Sequence, residues 1–363
     1  MYKITIVAGA RPNFMKIAPI IEAIKLHKDL INFRLVHTGQ HYDRKLSETF
    51  FEELGIPKPD INLGVKSGTQ AEQTAQIMIK FEKELISQPS DLVLVVGDVT
   101  STMACAIVAK KLNIKVAHVE AGIRSGDMKM PEEINRIVTD SITDYFFTTT
   151  ELANKNLLNS GKSKDQLFLV GNVMIDTLNK NINRLSKPSF WDEVRLEEKS
   201  YFVMTLHRPS NVDEEYKLKS LITTIVENSK GKPIIFPVHP RTKKLLQNLS
   251  LNFENLHYVE PLGYLNFIYL IKNAFAVLTD SGGITEETTV LNVPCITFRD
   301  STERPETCEI GTNVLVGSDL NKTKDAFDIL NNGQWKEGKS PKLWDGKTAK
   351  RIVNELIKIF KIG

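Results

Sequence analysis

The segment TDSGGITEETTVLNVPCITFRDSTERPE, residues 279–306, decides the fold. An apolar run at 276–278 leads into the turn at 280–283, a helix-like stretch begins at Ile284, and a second apolar run covers 295–298. Strand, glycine turn, helix and strand in succession are half of a doubly wound unit, in which ligands bind beyond the carboxyl ends of the strands. The segment therefore predicts an α/β fold with a binding site at this turn.

The turn itself indicates the kind of ligand. Bare backbone N–H groups at Ser281, Gly282 and Gly283 would face a helix N-terminus, which is a favourable place for phosphate. Arg304 offers a forked donor for a phosphate oxygen, and Glu287, one helical turn further on, is placed to take two ribose hydroxyls. Together these features favour a nucleoside diphosphate, and the alternative is a Gly-Gly turn that only tightens packing between strand and helix.

Length and composition limit the function classes. A chain of 363 residues with 41% hydrophobic and 25% charged residues is typical of a globular protein of two domains. The net charge of +3 implies no polyanionic partner, so nucleic acid is not expected. No apolar run approaches the roughly 20 residues of a membrane span, so no membrane partner is expected either.

The N-terminus and the cysteines predict a compartment. The opening MYKITIVAGARPN reads as a short buried strand rather than a signal peptide, because Arg11 and Pro12 interrupt it at once. The three cysteines, Cys105, Cys295 and Cys308, cannot all pair and lack metal-ligand spacing. The expected compartment is the cytoplasm.

Apolar runs alternate with amphipathic stretches through two similar halves. This alternation predicts two Rossmann-like, doubly wound domains that face each other across a cleft. The expected domains are 1–186 and 200–345, with a C-terminal helix at 347–361 packing back on the first. Candidate strands occupy 4–8, 33–37, 92–96, 116–119, 145–148, 168–170, 201–206, 234–238, 256–259, 276–279, 295–298 and 313–316, with helices between them, including 16–26, 241–249 and 284–291.

In the first half, charged residues follow three of the predicted strands. Arg11 and Lys16 flank the predicted helix start in a loop that lacks the GxGxxG fingerprint, so a dinucleotide is not expected. Asp98 follows Gly97, which permits a sharp turn, and Ser101 or Thr102 is better placed than Asp98 to cap the next helix. Asp98 is therefore a candidate functional carboxylate, while Lys16 has the alternative of being solvated.

The next strand end and the helix that follows it supply three more carboxylates. Glu120 directly ends a buried strand, which is costly without a role or a partner, and Arg124 is the candidate partner. Glu132 and Glu133 follow Pro131 in the first turn of a helix, where acidic residues ordinarily complement the helix dipole.

The second half contributes histidine. His207 follows the strand at 201–206 and is a candidate acid, base or phosphate ligand, with a stronger claim than His239, which follows the next strand. His41 and Tyr42, in the loop after the second strand of the chain, are weaker candidates of the same kind. No close spacing such as HxxxH is present, so no metal is expected.

The residues described above occur in motifs by which the chain resembles the non-hydrolysing UDP-N-acetylglucosamine 2-epimerases across essentially its full length. The motifs that carry the resemblance occur in the family's order and are GARPNFMK (9–16), GDVTST (97–102), HVEAGIRS (118–125), MPEEINR (130–136), HR (207–208), TDSGGITEE (279–287) and RDSTERPE (299–306). The resemblance implies a glycosyltransferase-B-like fold, a homodimer, no organic cofactor and a UDP-sugar substrate for surface polysaccharide precursors.

The resemblance also implies roles for single residues. It places Lys16, Asp98, Glu120, Glu132 and His207 in the catalytic centre. It assigns UDP to a second set, which comprises Arg11, Phe267, Ser281, Gly282, Gly283, Glu287 and Arg304. UDP would leave to give a glycal and return after C2 is reprotonated on the other face.

Departures from the family pattern leave alternatives open. The allosteric motif of bacterial members is altered at Tyr42 and near Gly68. The stretch GTQAEQTA (68–75) is similar to members acting on modified UDP sugars, such as UDP-2,3-diacetamido-glucuronate, or to archaeal members. A hydrolysing epimerase, a glycosyltransferase of the same fold and a non-catalytic sugar-nucleotide binding module are the further alternatives.

Overall fold

The computed structural model describes residues 1–39, 51–66, 68–238, 246, 251 and 253–362, and among these it leaves the side chains of residues 11, 209, 210 and 362 undescribed. His41, Tyr42, His239 and most of the helix predicted at 241–249 lie outside the described residues. The chain divides into two compact units, Met1–Lys180 with Lys342–Gly363, and Asn181–Pro341.

The first unit is built on a sheet of seven parallel strands. Its order is β3-β2-β1-β4-β5-β6-β7, so the strand order reverses between β1 and β4. The strands are β1 (Tyr2–Ala8), β2 (Ile31–His37), β3 (Ile61–Asn62), β4 (Leu92–Val96), β5 (Lys115–Ala121), β6 (Tyr145–Thr148) and β7 (Leu167–Leu169).

Helices connect these strands. They are α1 (Arg11–Lys25), α2 (Gln70–Ser87), α3 (Thr100–Lys111), α4 (Pro131–Ile142), α5 (Glu151–Asn159), α6 (Val173–Asn181) and, at the end of the chain, α13 (Thr348–Ile362). All five residues of β4 are buried, as expected for a strand covered on both faces. Helix α3 packs between α2 and α4 and buries small residues such as Ala104, Cys105 and Ala109.

The C-terminal helix α13 is a member of the first unit and contacts α1. The Asp176 carboxylate of α6 accepts hydrogen bonds from the backbone N–H groups of Thr348 (3.1 Å) and Ala349 (2.7 Å), which are the first residues of α13. At the other end, the Phe360 ring stacks on Tyr2 with centroids 4.2 Å apart. Asp176 therefore caps a helix that is remote in sequence.

The second unit repeats the topology with six parallel strands in the order β10-β9-β8-β11-β12-β13. The strands are β8 (Phe202–Thr205), β9 (Ile234–Pro237), β10 (Leu256–Val259), β11 (Ala276–Thr279), β12 (Cys295–Thr297) and β13 (Asn313–Leu315). The described helices are α7 (Pro209–Val212), α8 (Glu215–Asn228), α9 (Tyr264–Asn273), α10 (Gly282–Val290), α11 (Pro305–Glu309) and α12 (Leu320–Asn331).

Two helices begin earlier than the apolar periodicity predicts. Helix α1 starts at Arg11, because Pro12 suits the first turn and the Asn13 side chain accepts hydrogen bonds from the N–H groups of Gly9 and Ala10, both at 3.1 Å. Lys16 therefore lies in the second turn of the helix. Helix α10 starts at Gly282, so both glycines of the turn are helical residues.

Candidate active site

The centre of the first sheet's carboxyl edge is an ion pair between α1 and β5. Lys16 Nζ lies 2.6 Å from Glu120 Oε2, and both side chains are largely buried. Gly97, at the end of β4 with a φ of +69°, passes beneath this contact, since a Cβ there would lie 3.2 Å from Lys16 Nζ. The ends of β1, β4 and β5 are thus joined at one point.

Glu120 itself is held in an unusual backbone conformation. Its φ is +68°, and the pairing of β5 with β6 shifts register between Val119 and Ala121. A non-glycine residue in this region costs about 1 kcal/mol or more, and such bulges re-aim a side chain at the rim of a sheet. The local fold therefore turns the carboxylate of Glu120 toward Lys16.

Asp98 is held on one side and open on the other. Its Oδ2 accepts a hydrogen bond from Arg136 Nη2 at 2.5 Å, and its backbone carbonyl accepts one from Asn135 Nδ2 at 2.8 Å. Among the described residues, Oδ1 accepts no hydrogen bond, and the side chain is partly exposed. A carboxylate fixed by one oxygen with the other open suits proton transfer.

The two neighbouring glutamates at the start of α4 differ in role. Glu133 is buried and accepts hydrogen bonds from Ser125 N (2.9 Å), Gly126 N (3.0 Å) and Arg136 Nη1 (2.7 Å). Burial alone would raise the pKa of Glu133, but these hydrogen bonds and the Arg136 charge lower it overall. Glu132 is half-buried and has no hydrogen-bond partner in the described part of the chain, so of the two only Glu132 is open to a ligand.

A buried network lies under this edge. His118 of β5 contacts Asp140 Oδ1 through Nδ1 (2.7 Å) and the Gly97 carbonyl through Nε2 (2.8 Å). Asp140 Oδ2 accepts hydrogen bonds from Gly122 N (3.1 Å) and Arg124 Nη1 (2.6 Å). Burial opposes ionisation of Asp140, but His118 and Arg124 lower its pKa overall. The network ties the backbone beside Asp98 to the backbone beside Glu120.

Two predictions about partners in this unit are wrong. Arg124 pairs with Asp140 and not with Glu120, because the bulge turns Glu120 toward Lys16. Neither Ser101 nor Thr102 caps α3, which starts without a side-chain cap after Val99. The Ser101 hydroxyl bonds Thr38 and that of Thr102 donates to the Val96 carbonyl, because both side chains face the end of the sheet.

In the second unit, His207 is joined to an aspartate that the sequence did not single out. His207 Nδ1 lies 2.7 Å from Asp280 Oδ1. The His207 side chain is 62% exposed and that of Asp280 is 0% exposed. Burial opposes ionisation of Asp280, but His207, the Arg208 N–H and the Asn211 amide lower its pKa below the ordinary 3.8.

The start of α10 presents fewer bare donors than expected. The Ser281 N–H donates to Thr279 Oγ1 at 3.0 Å, so the prediction of a bare N–H there is wrong, because the threonine hydroxyl folds back over the turn. The N–H groups of Gly282 and Gly283 begin the helix and bond no acceptor among the residues that the structure describes. These two groups remain suited to a phosphate.

A carboxylate lies over the first glycine. A Cβ at position 282 would overlap Glu303 Oε1 and lie 3.2 Å from Arg299 Nη1, whereas one at 283 would meet nothing within 4 Å. Glu303 Oε2 is itself 2.5 Å from Arg299 Nη2. Glycine at position 282 therefore lets the Arg299–Glu303 pair approach the helix start.

Glu287 is buried one turn into α10, beside Tyr264 of α9. Burial raises the pKa of Glu287 to about 8, with Glu286 adding to the rise and the hydrogen bond with Tyr264 opposing it. Its Oε1 has no hydrogen-bond partner among the described atoms. Phe267 lies on α9 one turn after Tyr264 and is half-buried, so α9 and α10 carry these predicted residues side by side.

Arg304 differs from the expected exposed fork. It is buried, and its Nε donates to Glu286 Oε1 at 2.5 Å, because α11 begins directly after it and packs against α10. This pair fixes Glu286 next to Glu287, so Arg304 contributes to the same neighbourhood through a partner.

Several residues that organise the site escaped the sequence interpretation. Asp280, Asp140 and Tyr264 each contact a functional residue or its support on another element. Of the three, only Asp280 had a sequence signal, because it is a charged residue directly after a buried strand. Across the described residues, no group of three or more His, Cys, Asp or Glu is placed to hold a metal ion. In the same part of the chain, no helix combines the length and apolar character needed to cross a membrane.

Comparison with known proteins places this geometry in a family. Residues 23–357 match the family model described as UDP-N-acetylglucosamine 2-epimerase. The UDP-N-acetylglucosamine 2-epimerase of Methanocaldococcus jannaschii is 44% identical, over 98% of each chain. A crystal structure of that epimerase in complex with UDP-GlcNAc and UDP superposes with a TM-score of 0.89, covering 98% of this chain and 99% of the other.

Two further comparisons concern a different substrate and a different enzyme class. The UDP-2,3-diacetamido-2,3-dideoxy-D-glucuronate 2-epimerase of Pseudomonas aeruginosa is 37% identical, over 98% of this chain and 100% of its own. A lipopolysaccharide outer core galactosyltransferase, 13% identical with a TM-score of 0.56 over 98% of this chain and 99% of its own, shares the fold alone. The prediction of a glycosyltransferase-B-like fold with two Rossmann-like domains is confirmed. The chain belongs to the UDP-N-acetylglucosamine 2-epimerase family.

Proposed function

We propose that this protein interconverts UDP-N-acetylglucosamine and UDP-N-acetylmannosamine without hydrolysis. The observation that carries the proposal is the cluster at the carboxyl edge of the first sheet, where Lys16 contacts Glu120 and Arg136 holds Asp98 by one oxygen. The identity of 44% to the archaeal epimerase supports the same substrate.

The chemistry follows from the position of C2, which is not next to a carbonyl group. Direct removal of the C2 proton has no enolate to stabilise the charge, so the C1–O bond breaks first and UDP leaves with the electron pair. Loss of the C2 proton then gives a glycal with a double bond between C1 and C2. Reprotonation on the other face and return of UDP to C1 complete the inversion.

The carboxylates of the first unit are assigned to the sugar. Asp98 is the proposed general base, because its open Oδ1 is available to the C2 proton. Glu120 and Glu132 stabilise positive charge that develops at C1, and the acid that reprotonates C2 belongs to the same set. Lys16 neutralises part of the negative charge on the departing diphosphate.

The second unit is assigned to UDP. The N–H groups of Gly282 and Gly283 hold phosphate oxygens, and His207 donates to the diphosphate. Glu287 takes the ribose hydroxyls, and Phe267 lies against the uracil. Ser281 and Arg304 complete the set in this unit, Arg304 through its contact with Glu286. Arg11, in the first unit, is assigned to UDP by the family resemblance alone.

Proton NMR of the purified protein with UDP-GlcNAc in deuterated water tests the proposal. Deuterium at C2 together with a UDP-ManNAc signal is the expected result. Free ManNAc with UDP would contradict it in favour of hydrolysis. An unchanged spectrum would contradict it in favour of a modified sugar, although the lower identity to the diacetamido-glucuronate epimerase disfavours that alternative.

We propose further that the protein is a homodimer of the cytoplasm that serves surface polysaccharide synthesis, as the family resemblance implies. Helix α4 exposes Ile134 and Ile137, and α2 exposes Ile79 and Ile86, which supports a covered apolar surface on these helices. In sedimentation experiments the wild type should be a dimer and the Ile134→Asp, Ile137→Asp double variant a monomer. A double variant that is still a dimer would exclude this surface.

A further inference from the structure

We propose that Asp280 is a positioning residue for His207, fixing which ring nitrogen meets the substrate diphosphate. The inference rests on the proposed function, because it concerns the group that faces the departing UDP. It goes beyond that function in assigning a role to a residue that does not itself touch the substrate.

The contacts of Asp280 converge on one turn. Its oxygens accept hydrogen bonds from the backbone N–H groups of His207 (3.0 Å) and Arg208 (2.9 Å) and from Asn211 Nδ2 (3.0 Å). The carboxylate also contacts the His207 ring, whose Nδ1 lies 2.7 Å from Asp280 Oδ1. Asp280 follows β11 directly and Arg208 Nε donates to its carbonyl, so the backbone of Asp280 is fixed as well.

The chemistry of a carboxylate determines the tautomer of the ring. An ionised carboxylate only accepts hydrogen bonds, so Nδ1 of His207 carries a hydrogen. Nε2 is then the nitrogen that a ligand can reach, in agreement with the high exposure of the side chain. The same arrangement of a buried aspartate on Nδ1 orients the catalytic histidine of serine proteases.

The consequence concerns the leaving group. Negative charge grows on the diphosphate as the C1–O bond breaks. When both ring nitrogens carry a hydrogen, Nδ1–H bonds Asp280 and Nε2–H can bond a phosphate oxygen. An unheld ring on an exposed loop would sample other rotamers, in which Nε2 points away from the phosphate. Asp280 therefore raises the fraction of molecules in which Nε2 faces the phosphate.

A purely structural role is the competing explanation, since Asp280 also organises the turn from His207 to Asn211. A double-mutant cycle separates the two, because a residue that acts through His207 loses its effect when His207 is absent. The variants are Asp280→Asn, His207→Gln and the double variant, assayed by C2 deuterium exchange. Asp176→Asn is the matched control, because Asp176 is also a buried carboxylate that accepts two backbone hydrogen bonds, at the start of α13.

Asp280→Asn should lower the exchange rate about 10²-fold in the wild-type background and less than about 2-fold in the His207→Gln background. The Asp176→Asn control should leave the exchange rate within about 2-fold of wild type. An equal loss in both backgrounds would assign Asp280 a structural role and overturn the proposal.

A second measurement needs no variant and no activity. Nitrogen-15 NMR of the wild-type protein, with histidine labelled and the His207 signal assigned by His207→Gln, reports which ring nitrogen carries the hydrogen in the neutral ring. Hydrogen on Nδ1 supports the proposal, and hydrogen on Nε2 overturns it. This readout does not depend on turnover, so it tests the role of Asp280 even in a protein without epimerase activity. Absence of epimerase activity would refute the proposed function and leave the proposal about Asp280 to be judged by the NMR result.

Discussion

The two units share one topology and differ in what they place at its carboxyl edge. In both sheets the strand order reverses at the same point, between β1 and β4 and between β8 and β11. The first edge carries paired charges, Lys16 with Glu120 and Arg136 with Asp98, whereas the second carries the N-terminus of α10 and the His207–Asp280 pair. The topology fixes where a ligand binds, and the residues at the strand ends decide what happens to it.

This difference leads to a division of labour. Under the proposed function, charged side chains that can give or take a proton act on the sugar, whereas fixed backbone N–H groups hold phosphate without exchanging protons. Changes to the carboxylates of the first edge should therefore affect turnover and leave UDP affinity intact. Changes at the second edge, apart from the His207–Asp280 pair, should act first on nucleotide binding or on stability.

The largest expected effect is at Glu120. Glu120→Gln keeps the size of the side chain but removes the charge that faces Lys16, so turnover should fall about 10³-fold. UDP affinity, measured by isothermal titration calorimetry, should stay within about 3-fold of wild type. Loss of UDP binding together with turnover would break the division between the two edges.

At the second edge, Glu287 should make stability depend on pH. The pKa of Glu287 is raised from the ordinary 4.5 to about 8, so the folded protein keeps a proton that the unfolded chain releases. The retained proton stabilises the folded protein, and this contribution is fully present below about pH 4.5 and is lost as pH rises through about 8. Glu287→Gln, which cannot ionise, should gain stability relative to wild type across that window, by on the order of 4 kcal/mol.

Urea denaturation of wild type and Glu287→Gln at about pH 5 and about pH 9 measures this effect. All other titrating groups are common to both proteins and cancel in the difference. A difference in unfolding free energy that is the same at both pH values would show that Glu287 is ionised in the folded protein.

At the first edge, the two adjacent glutamates of α4 should differ in effect, with Glu133 contributing to stability and Glu132 to turnover. Glu133→Gln breaks the buried contact with Arg136 and should lower the free energy of unfolding by about 3 kcal/mol. Because the pKa of Glu133 is lowered, its contribution is present above the ordinary value and lost as pH falls through the folded one. Glu132→Gln is the matched control and should change stability by less than about 0.5 kcal/mol while lowering turnover. Equal losses of stability in the two variants would contradict the assignment.

The smallest effect is expected at the paired glycines. Gly282→Ala must displace the Glu303 carboxylate from Arg299 and should destabilise by about 1 kcal/mol. Gly283→Ala meets no protein atom and should be neutral or stabilising by up to about 1 kcal/mol, since alanine favours helix. Thermal unfolding of both variants without ligand measures this, and Gly282→Ala should have the lower melting temperature. A lower melting temperature for Gly283→Ala would show that the Arg299–Glu303 pair does not lie over Gly282.

Sequence patterns predicted the architecture because buried parallel strands are continuous apolar runs and glycine turns mark their ends. They missed β3, whose two residues Ile61–Asn62 are too few to show a period, and the short helices α7 and α11. They also missed the nine-residue helix α6. They also placed the start of α1 too late, since Pro12 and Asn13 set it by local hydrogen bonding rather than by periodicity.

The candidate site was predicted in part for a similar reason. Strand-end residues such as Asp98, Glu120 and His207 are recognisable because their position follows from the topology. Their partners are not, because the choice of Arg136, Lys16 and Asp280 is made between elements distant in sequence. The wrong pairing of Arg124 with Glu120 shows this limit, since the positive φ that turns Glu120 away is set by the fold.

The most direct test of the account is positional isotope exchange in UDP-GlcNAc labelled with oxygen-18 at the bridge between C1 and the β-phosphorus. If the C1–O bond breaks while UDP stays bound at the second edge, the label should move to non-bridging positions of the β-phosphate during turnover. Deuterium should enter C2 in the same incubation. Deuterium at C2 with the label still entirely in the bridge would contradict elimination of UDP and with it the division of labour between the two edges.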